Sequence, residues 1–171
     1  DAIFKQLSET YRKIRNTARI IMANLGDFNP ETDIVALENM LDIDRWALSR
    51  LEALIAEVRK AYDSYSFHLV YHAINNFCTV DMSKLYIDIT KDRVYVEKSD
   101  STARRSAQTA LYIIISAMTR MIAPILSFTA EEIWQAMPHA EDENKTSVFL
   151  NALPTVSECY TLLLLVECSV V

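Results

Sequence analysis

Residues 44–65 read DRWALSRLEALIAEVRKAYDSY, and this stretch is the clearest structural signal in the chain. Its large apolar residues alternate steps of three and four, at Leu48, Leu51, Ile55, Val58, Tyr62 and Tyr65. Side chains at this spacing share one face of an α-helix. The stretch therefore predicts a long amphipathic helix that packs against other helices.

The same periodicity appears on both sides of this stretch. It predicts a first helix from Ile3 to Leu25, with Gly26 as the residue that ends it. A third helix is predicted from Phe67 to Ile89, bent near Thr79, and a fourth from Ala107 to Ile125. Four long helices thus account for most of the chain.

A short fifth helix and several connectors complete the prediction. Thr129 and Glu132 have the spacing of a capping box, so the fifth helix is expected to begin at Thr129. Residues 92–99 and 147–150 are rich in β-branched and aromatic side chains and are expected to be extended. The tail 155–171 is also β-prone.

Composition limits both the fold class and the chemistry. The chain has 171 residues, of which 51% are hydrophobic and a single one is glycine. A glycine-rich phosphate loop or dinucleotide fingerprint is therefore excluded, and many-turned β folds are disfavoured. The sequence predicts an all-α protein, an antiparallel bundle of about five helices over residues 1–154, with a short extended C-terminal segment over 155–171.

The sequence offers no catalytic or metal site. The three cysteines show no CxxC spacing, which favours a reducing, cytoplasmic compartment, and the longest apolar runs are too short for a membrane span. No leader peptide is visible. His68 and His72 have the i,i+4 spacing that can hold a metal or haem, but a structural histidine pair is the preferred interpretation. We expect no metal and no cofactor.

The first helix has a charged side opposite its apolar side. On a helical wheel Lys5, Arg12, Asn16 and Arg19 fall within about 40° of one another, and Arg15 lies at the edge of this row. The apolar stripe is centred about 140° away. This helix is therefore predicted to pack with one side and to present a basic row to solvent.

A second basic cluster and an acidic connector leave two functions open. Lys91, Arg93, Lys98, Arg104 and Arg105 lie between the third and fourth predicted helices, whereas residues 27–44 carry six acids and no base. Bases, aromatic rings and amides together are typical of single-stranded RNA recognition. The alternative is a helical protein-interaction module that docks through the acidic segment and has no RNA function.

Six stretches, in order, resemble the anticodon-binding helical domain of bacterial isoleucyl-tRNA synthetases. The resemblance covers about residues 5–154 and is carried by YRKIRNT (11–17), NLGDFNP (24–30), DRWALSRL (44–51), YIDITKDRVY (86–95), RRSAQT (104–109) and APILSFTAEEIW (123–134). The last stretch is shared with the synthetases for valine and leucine, so the equivalent domain of those enzymes is the alternative. The tail 155–171 does not resemble the family.

The resemblance implies a binding role without catalysis. The HIGH motif and a complete KMSKS motif are absent, so the chain is expected to be a non-catalytic part of the ligase. Its implied partners are the anticodon arm of tRNA(Ile) and the catalytic domain of the parent synthetase, with no membrane. The implied tRNA-binding residues are Arg12, Lys13, Arg15, Asn16, Arg19, Asn75, Asn76, Phe77, Ser83, Tyr86, Lys91, Arg93 and Tyr95.

Overall fold

A computed structural model describes residues 2–141 and 143–156, with side chains from residue 4 onward. These residues form no β-strand, and the predicted all-α fold is confirmed. The α-helices are α1 (Ala2–Ala23), α2 (Asp42–Asp63), α3 (Phe67–Asn76), α4 (Ile87–Val96), α5 (Thr102–Ile122) and α6 (Ser127–Ala136). Short 3₁₀ turns occur at Leu37–Asn39 and Val148–Leu150.

A π-helical segment, Phe77–Tyr86, joins α3 to α4 in one uninterrupted helical stretch. Counting that stretch as a single unit gives the five helices that the periodicity predicts. The predicted irregularity near Thr79 falls inside the π segment. There Ser83 donates a hydrogen bond to the carbonyl of Cys78, five residues earlier. Wider turns of this kind are rare and concentrate at functional sites.

Two predicted helix boundaries are wrong. The first helix ends at Ala23, three residues before Gly26, and Gly26 does not have the positive φ of a helix-ending glycine. The last helix begins at Ser127 rather than at Thr129, because the chain turns directly out of α5 through Leu126. The Thr129 hydroxyl lies instead 3.2 Å from the Tyr11 hydroxyl.

The predicted extended pieces at 92–99 and 147–150 are wrong over most of their length. Helix α4 continues to Val96, because Val94 is buried against the core and tertiary packing outweighs β propensity. Residues 148–150 form a 3₁₀ turn whose Val148 is buried. The part of the expected C-terminal tail from 157 to 171 lies outside the described residues.

Helix α5 is the centre of the core. It is buried almost continuously from Ser106 to Ile122 and contacts α1, α2, α3, α4 and α6. Helix α2 packs its predicted face, including Leu48, Leu51 and Val58, against α5 and α3. Cys78 is buried in the same core, as expected for a small structural residue, and burial raises the pKa of its thiol to about 12.

The carboxylate of Asp44, in the first turn of α2, is fully buried in the core. It accepts hydrogen bonds from Arg93 on α4 at 2.7 and 3.0 Å, and from the Tyr86 hydroxyl at 2.7 Å. The Ser106 hydroxyl of α5 donates a further bond. Burial, together with the charge of Asp44, raises the pKa of Tyr86 well above its ordinary value. A single carboxylate therefore connects α2, the π segment, α4 and α5.

Replacing this carboxylate should destabilise the fold strongly. Asp44→Ala leaves the Arg93 guanidinium, which is 18% exposed, without its buried partner, and loss of one member of a buried pair costs about 3–5 kcal/mol. Urea unfolding followed by circular dichroism measures this loss. The control is Asp88→Ala, which breaks an exposed pair with Lys91 and should cost less than about 1 kcal/mol. Equal unfolding midpoints for the two variants would contradict the structural role of Asp44.

Candidate nucleic-acid interface

Helix α1 separates its apolar and basic residues as the sequence predicts. Ile14, Ala18 and Ile21 are buried against the core. The cations and amide of the opposite side are exposed. They are Lys5, Arg12, Arg15, Asn16 and Arg19 of the predicted basic row, with Lys13 beside it. The predicted orientation of the helix is confirmed, whereas the binding role of the row remains a prediction.

The basic row is largely unneutralised by the protein itself. Arg15 lies 3.8 Å from Glu132 of α6, but both side chains are at least half exposed, so the pair contributes little to stability. Within the described residues, Arg12, Lys13 and Arg19 have no carboxylate at ion-pair distance. Several positive charges therefore remain available on one helix face.

A groove runs between this row and the π segment. It has a volume of about 480 Å³, and we refer to it as the α1–π groove. The groove is lined by Lys13, Asn16, Thr17, Ile20, Thr79, Ser83 and Lys84. The structure thus brings together the predicted site residues Lys13, Asn16 and Ser83, which are far apart in sequence.

Three of the predicted RNA-contacting residues are structural. Phe77 and Tyr86 are 2% and 0% exposed, so neither ring can stack on a base at the surface. The Arg93 guanidinium is bound to Asp44 and to the carbonyl of Ala103. The prediction that these three residues contact RNA is therefore wrong, because their side chains are buried or bound within the protein.

The remaining predicted residues lie on separate parts of the surface. Asn76 lines a small cleft of about 50 Å³ beside the Arg50–Asp81 ion pair, and Asn75 is half-buried. Lys91 pairs with Asp88, and Tyr95 is 70% exposed near the end of α4. The structure does not place these four predicted residues in the α1–π groove.

Most cations of the second basic cluster are paired with carboxylates of the acidic connector. Arg104 donates to Asp27 at 2.9 Å, and Arg105 lies 3.3 Å from Asp33. Arg105 also donates to Gln108 at 2.7 Å. Burial opposes ionisation of Asp27, but hydrogen bonds from Gln108 and Arg104 outweigh it and lower the pKa of that carboxyl. The stabilisation from this carboxylate is therefore present above its unfolded-state pKa and is lost as the pH falls through its lowered folded-state pKa.

Four groove residues, Thr17, Ile20, Thr79 and Lys84, were not among the predicted site residues. The π segment has more residues per turn than an α-helix, which shifts the face on which Lys84 lies. The sequence signal for Lys84 was its position next to the predicted site residue Ser83. That position alone does not predict a groove.

The described part of the chain shows where the histidine pair lies and whether a helix has the properties of a membrane span. His68 and His72 are exposed and line an apolar cavity with Leu7 and Tyr71. In residues 2–141 and 143–156, no group of three potential metal ligands forms a site. None of the described helices combines the length and apolarity that a membrane crossing requires.

Comparison with known proteins identifies a family. The sequence profile described as "Anticodon-binding domain of tRNA ligase" matches residues 44–167, a range that includes the first part of the tail expected not to resemble the family. A curated isoleucine–tRNA ligase of Caldicellulosiruptor saccharolyticus is 59% identical over 156 residues, which cover 91% of this chain and 17% of the relative. Isoleucine–tRNA ligases of Moorella thermoacetica and Legionella pneumophila are 54% and 50% identical, over 90% and 91% of this chain and 16% and 17% of the relatives. The chain thus spans about a sixth of the length of these curated relatives.

Alanine substitutions should separate structural from free arginines. Arg105→Ala removes a side chain that is 17% exposed and bound to several acceptors, so we expect a loss of about 1–3 kcal/mol in the free energy of unfolding. Arg19→Ala should change it by less than about 0.5 kcal/mol, because Arg19 is an exposed surface side chain. Chemical denaturation of both variants checks the difference. A large loss for Arg19→Ala would show that Arg19 is held in the fold.

Proposed function

The chain belongs to the anticodon-binding domain family of tRNA ligases, and from this premise we propose that it holds the anticodon arm of tRNA(Ile) for an isoleucine–tRNA ligase. The observation that carries the proposal is the exposed, largely unpaired basic row on α1. Phosphates of an RNA stem-loop would neutralise this row and fix the register of the RNA. The amides and hydroxyls beside it would contact unpaired nucleotides.

In this proposal the chain contributes binding and position rather than chemistry. Aminoacylation belongs to a catalytic domain elsewhere in the parent ligase, which is the second proposed partner. Holding the anticodon arm supplies binding energy and orients the distant acceptor end toward that domain. This role needs no cofactor in this chain. Because tRNA is used in protein synthesis, we propose that the parent enzyme acts in the cytoplasm.

The choice of isoleucine over valine or leucine rests on the relatives. The similar proteins named above are isoleucine–tRNA ligases, at 50–59% identity over nine tenths of this chain. The sequence stretches around residues 44–51 and 86–95 also resemble the isoleucine enzymes more than the other two. These observations support tRNA(Ile) as the partner.

The competing protein-interaction function has fewer free carboxylates to dock through than the sequence suggests. Of the six acids in residues 27–44, Asp27, Asp33 and Asp44 are bound to arginines of this chain. Asp42 is paired with Arg45 as well. Glu31 and Glu38 are exposed, so the segment offers fewer free carboxylates to a basic partner than its sequence suggests.

Charge reversal on α1 should weaken RNA binding strongly without unfolding the protein. Arg15→Glu with Arg19→Glu removes two phosphate contacts and adds repulsion, so affinity for tRNA should fall at least about tenfold at low salt. For the unmodified chain, four to six phosphate contacts predict that log affinity falls with log salt at a slope of about −3 to −4. Fluorescence anisotropy titrations at several salt concentrations measure both quantities.

The matched control is Lys60→Glu with Lys145→Glu, which changes the net charge equally at exposed positions outside the basic row. This control should retain most of the affinity, and circular dichroism should show both variants folded. Equal losses of affinity in the two double variants would mean that net charge alone governs binding. That outcome would contradict the assignment of the interface to α1.

Competition between tRNA species tests the isoleucine assignment. Unlabelled tRNA(Ile) should displace a labelled tRNA(Ile) from the chain at lower concentration than tRNA(Val) or tRNA(Leu) does, because base contacts add to the common phosphate attraction. The measurement is the midpoint of each competition curve at one fixed salt concentration. A lower midpoint for tRNA(Val) would instead assign the chain to the valine enzyme.

A further inference from the structure

A groove between α1 and α6 combines two cations with a carboxylate. It has a volume of about 230 Å³, and we refer to it as the α1–α6 groove. Helix α1 contributes Arg15 and Arg19 of the basic row, and α6 contributes Glu132. The other lining residues are Met22, Thr129, Ile133 and Ala136. Among the described residues, Glu132 is the one carboxylate at ion-pair distance from the basic row.

The carboxylate of Glu132 keeps its capacity to accept hydrogen bonds. Its Oε1 lies 3.8 Å from the Arg15 guanidinium, which is too long for a hydrogen bond, and no described residue donates one to it. The preceding residue, Glu131, differs in this respect. It accepts from the Gln135 amide at 2.9 Å and from the Ser147 hydroxyl at 2.8 Å. Of these two adjacent glutamates, Glu132 is therefore the one that can accept from a partner.

Packing places this carboxylate before any partner binds. The two residues that follow it, Ile133 and Trp134, are 6% and 0% exposed, so they anchor α6 in the core. The Thr129 hydroxyl lies 3.2 Å from the Tyr11 hydroxyl and connects α6 to α1. Glu132 itself is 69% exposed. The fold thus holds an accessible carboxylate beside the cations of α1.

A groove that served phosphate alone would be weakened by this carboxylate. Two like charges about 6 Å apart at a solvated surface lower an affinity about threefold. The carboxylate becomes favourable only if the occupant brings a hydrogen-bond donor next to its phosphate. In a nucleic-acid backbone that donor is the ribose 2′-hydroxyl, which DNA lacks. The wide minor groove of an A-form stem displays these hydroxyls at its surface.

Resting on the proposed RNA-binding function, we propose that Glu132 makes the α1–α6 groove selective for the sugar of the RNA backbone. Arg15 and Arg19 bind a phosphate of the stem, and the 2′-hydroxyl beside that phosphate donates to the Glu132 carboxylate. The same carboxylate repels a phosphate that arrives without such a hydroxyl. Glu132 is thus a specificity-determining residue that favours RNA over DNA.

The test replaces single ribose hydroxyls of a stem-loop that has the anticodon-arm sequence of tRNA(Ile). A 2′-fluorine keeps the sugar conformation of A-form RNA but cannot donate a hydrogen bond. At one stem position this replacement should weaken binding to the unmodified chain about tenfold, because the hydrogen bond to a charged group is lost. With Glu132→Ala the same replacement should change the affinity less than about twofold. Fluorescence anisotropy titrations at one low salt concentration measure both effects.

A second readout measures the repulsion. A stem-loop with 2′-fluorine at every position should bind Glu132→Ala about three times more tightly than it binds the unmodified chain. The matched control is Glu57→Ala, which removes the same charge at an exposed position outside the groove. It should behave like the unmodified chain in both measurements. Circular dichroism should show both variants folded, because both side chains are exposed.

The possible results separate this proposal from the one on which it rests. If no stem position loses its fluorine effect in Glu132→Ala, or if Glu57→Ala removes that effect equally, the role of Glu132 is overturned. The proposed function survives that result as long as the charge reversal at Arg15 and Arg19 still weakens binding. If the unmodified chain does not bind the unsubstituted stem-loop even at low salt, both proposals fall together.

Discussion

The carboxylate of Asp44 has no access to water, and the arrangement of the bundle depends on the groups that compensate it. Burying a charge is costly unless it is paired and hydrogen-bonded, and here the partners come from three other elements: Arg93, Tyr86 and Ser106. The network fixes the register of the π segment and α4 against α2 and α5. Because the π segment forms one wall of the α1–π groove, a buried ion pair in the core sets the geometry of a surface site.

The two basic regions of the chain differ in whether their arginines are paired with carboxylates of the protein itself. Arg104 and Arg105 at the start of α5 are held by carboxylates of the connector between α1 and α2. This pairing attaches the connector to the bundle and neutralises part of its charge. The arginines of α1 face no such connector, and they keep their charge for a partner. Part of the acidic segment and part of the second basic cluster thus form one internal contact, whereas the cations of α1 remain exposed.

Periodicity predicted the packed face of α2 correctly as far as Val58, because burial along one face stabilises a long amphipathic helix. Tyr65 was expected on the same face, but the helix ends at Asp63 and Tyr65 is 81% exposed. Local rules failed where packing outweighs them. Val94 has a strand-forming side chain but lies in α4, and Thr129 has cap spacing but lies inside α6. The exposed row on α1 was predictable from the helical wheel. The groove was not, because the π segment shifts the face on which Lys84 lies, and because sequence does not show that Phe77 and Tyr86 are buried.

A net charge of −6 is compatible with an RNA-binding role because electrostatic attraction at physiological salt is local. The Debye length is about 8 Å at physiological ionic strength, so exposed charges beyond that distance from a bound phosphate are largely screened. Several acids, including Asp27, Asp33 and Asp44, are moreover paired with arginines of the chain itself. A phosphate beside α1 would therefore respond mainly to Arg12, Lys13 and Arg19 rather than to the molecular total. On this argument, the position of unpaired cations on a rigid helix decides binding, and overall composition does not.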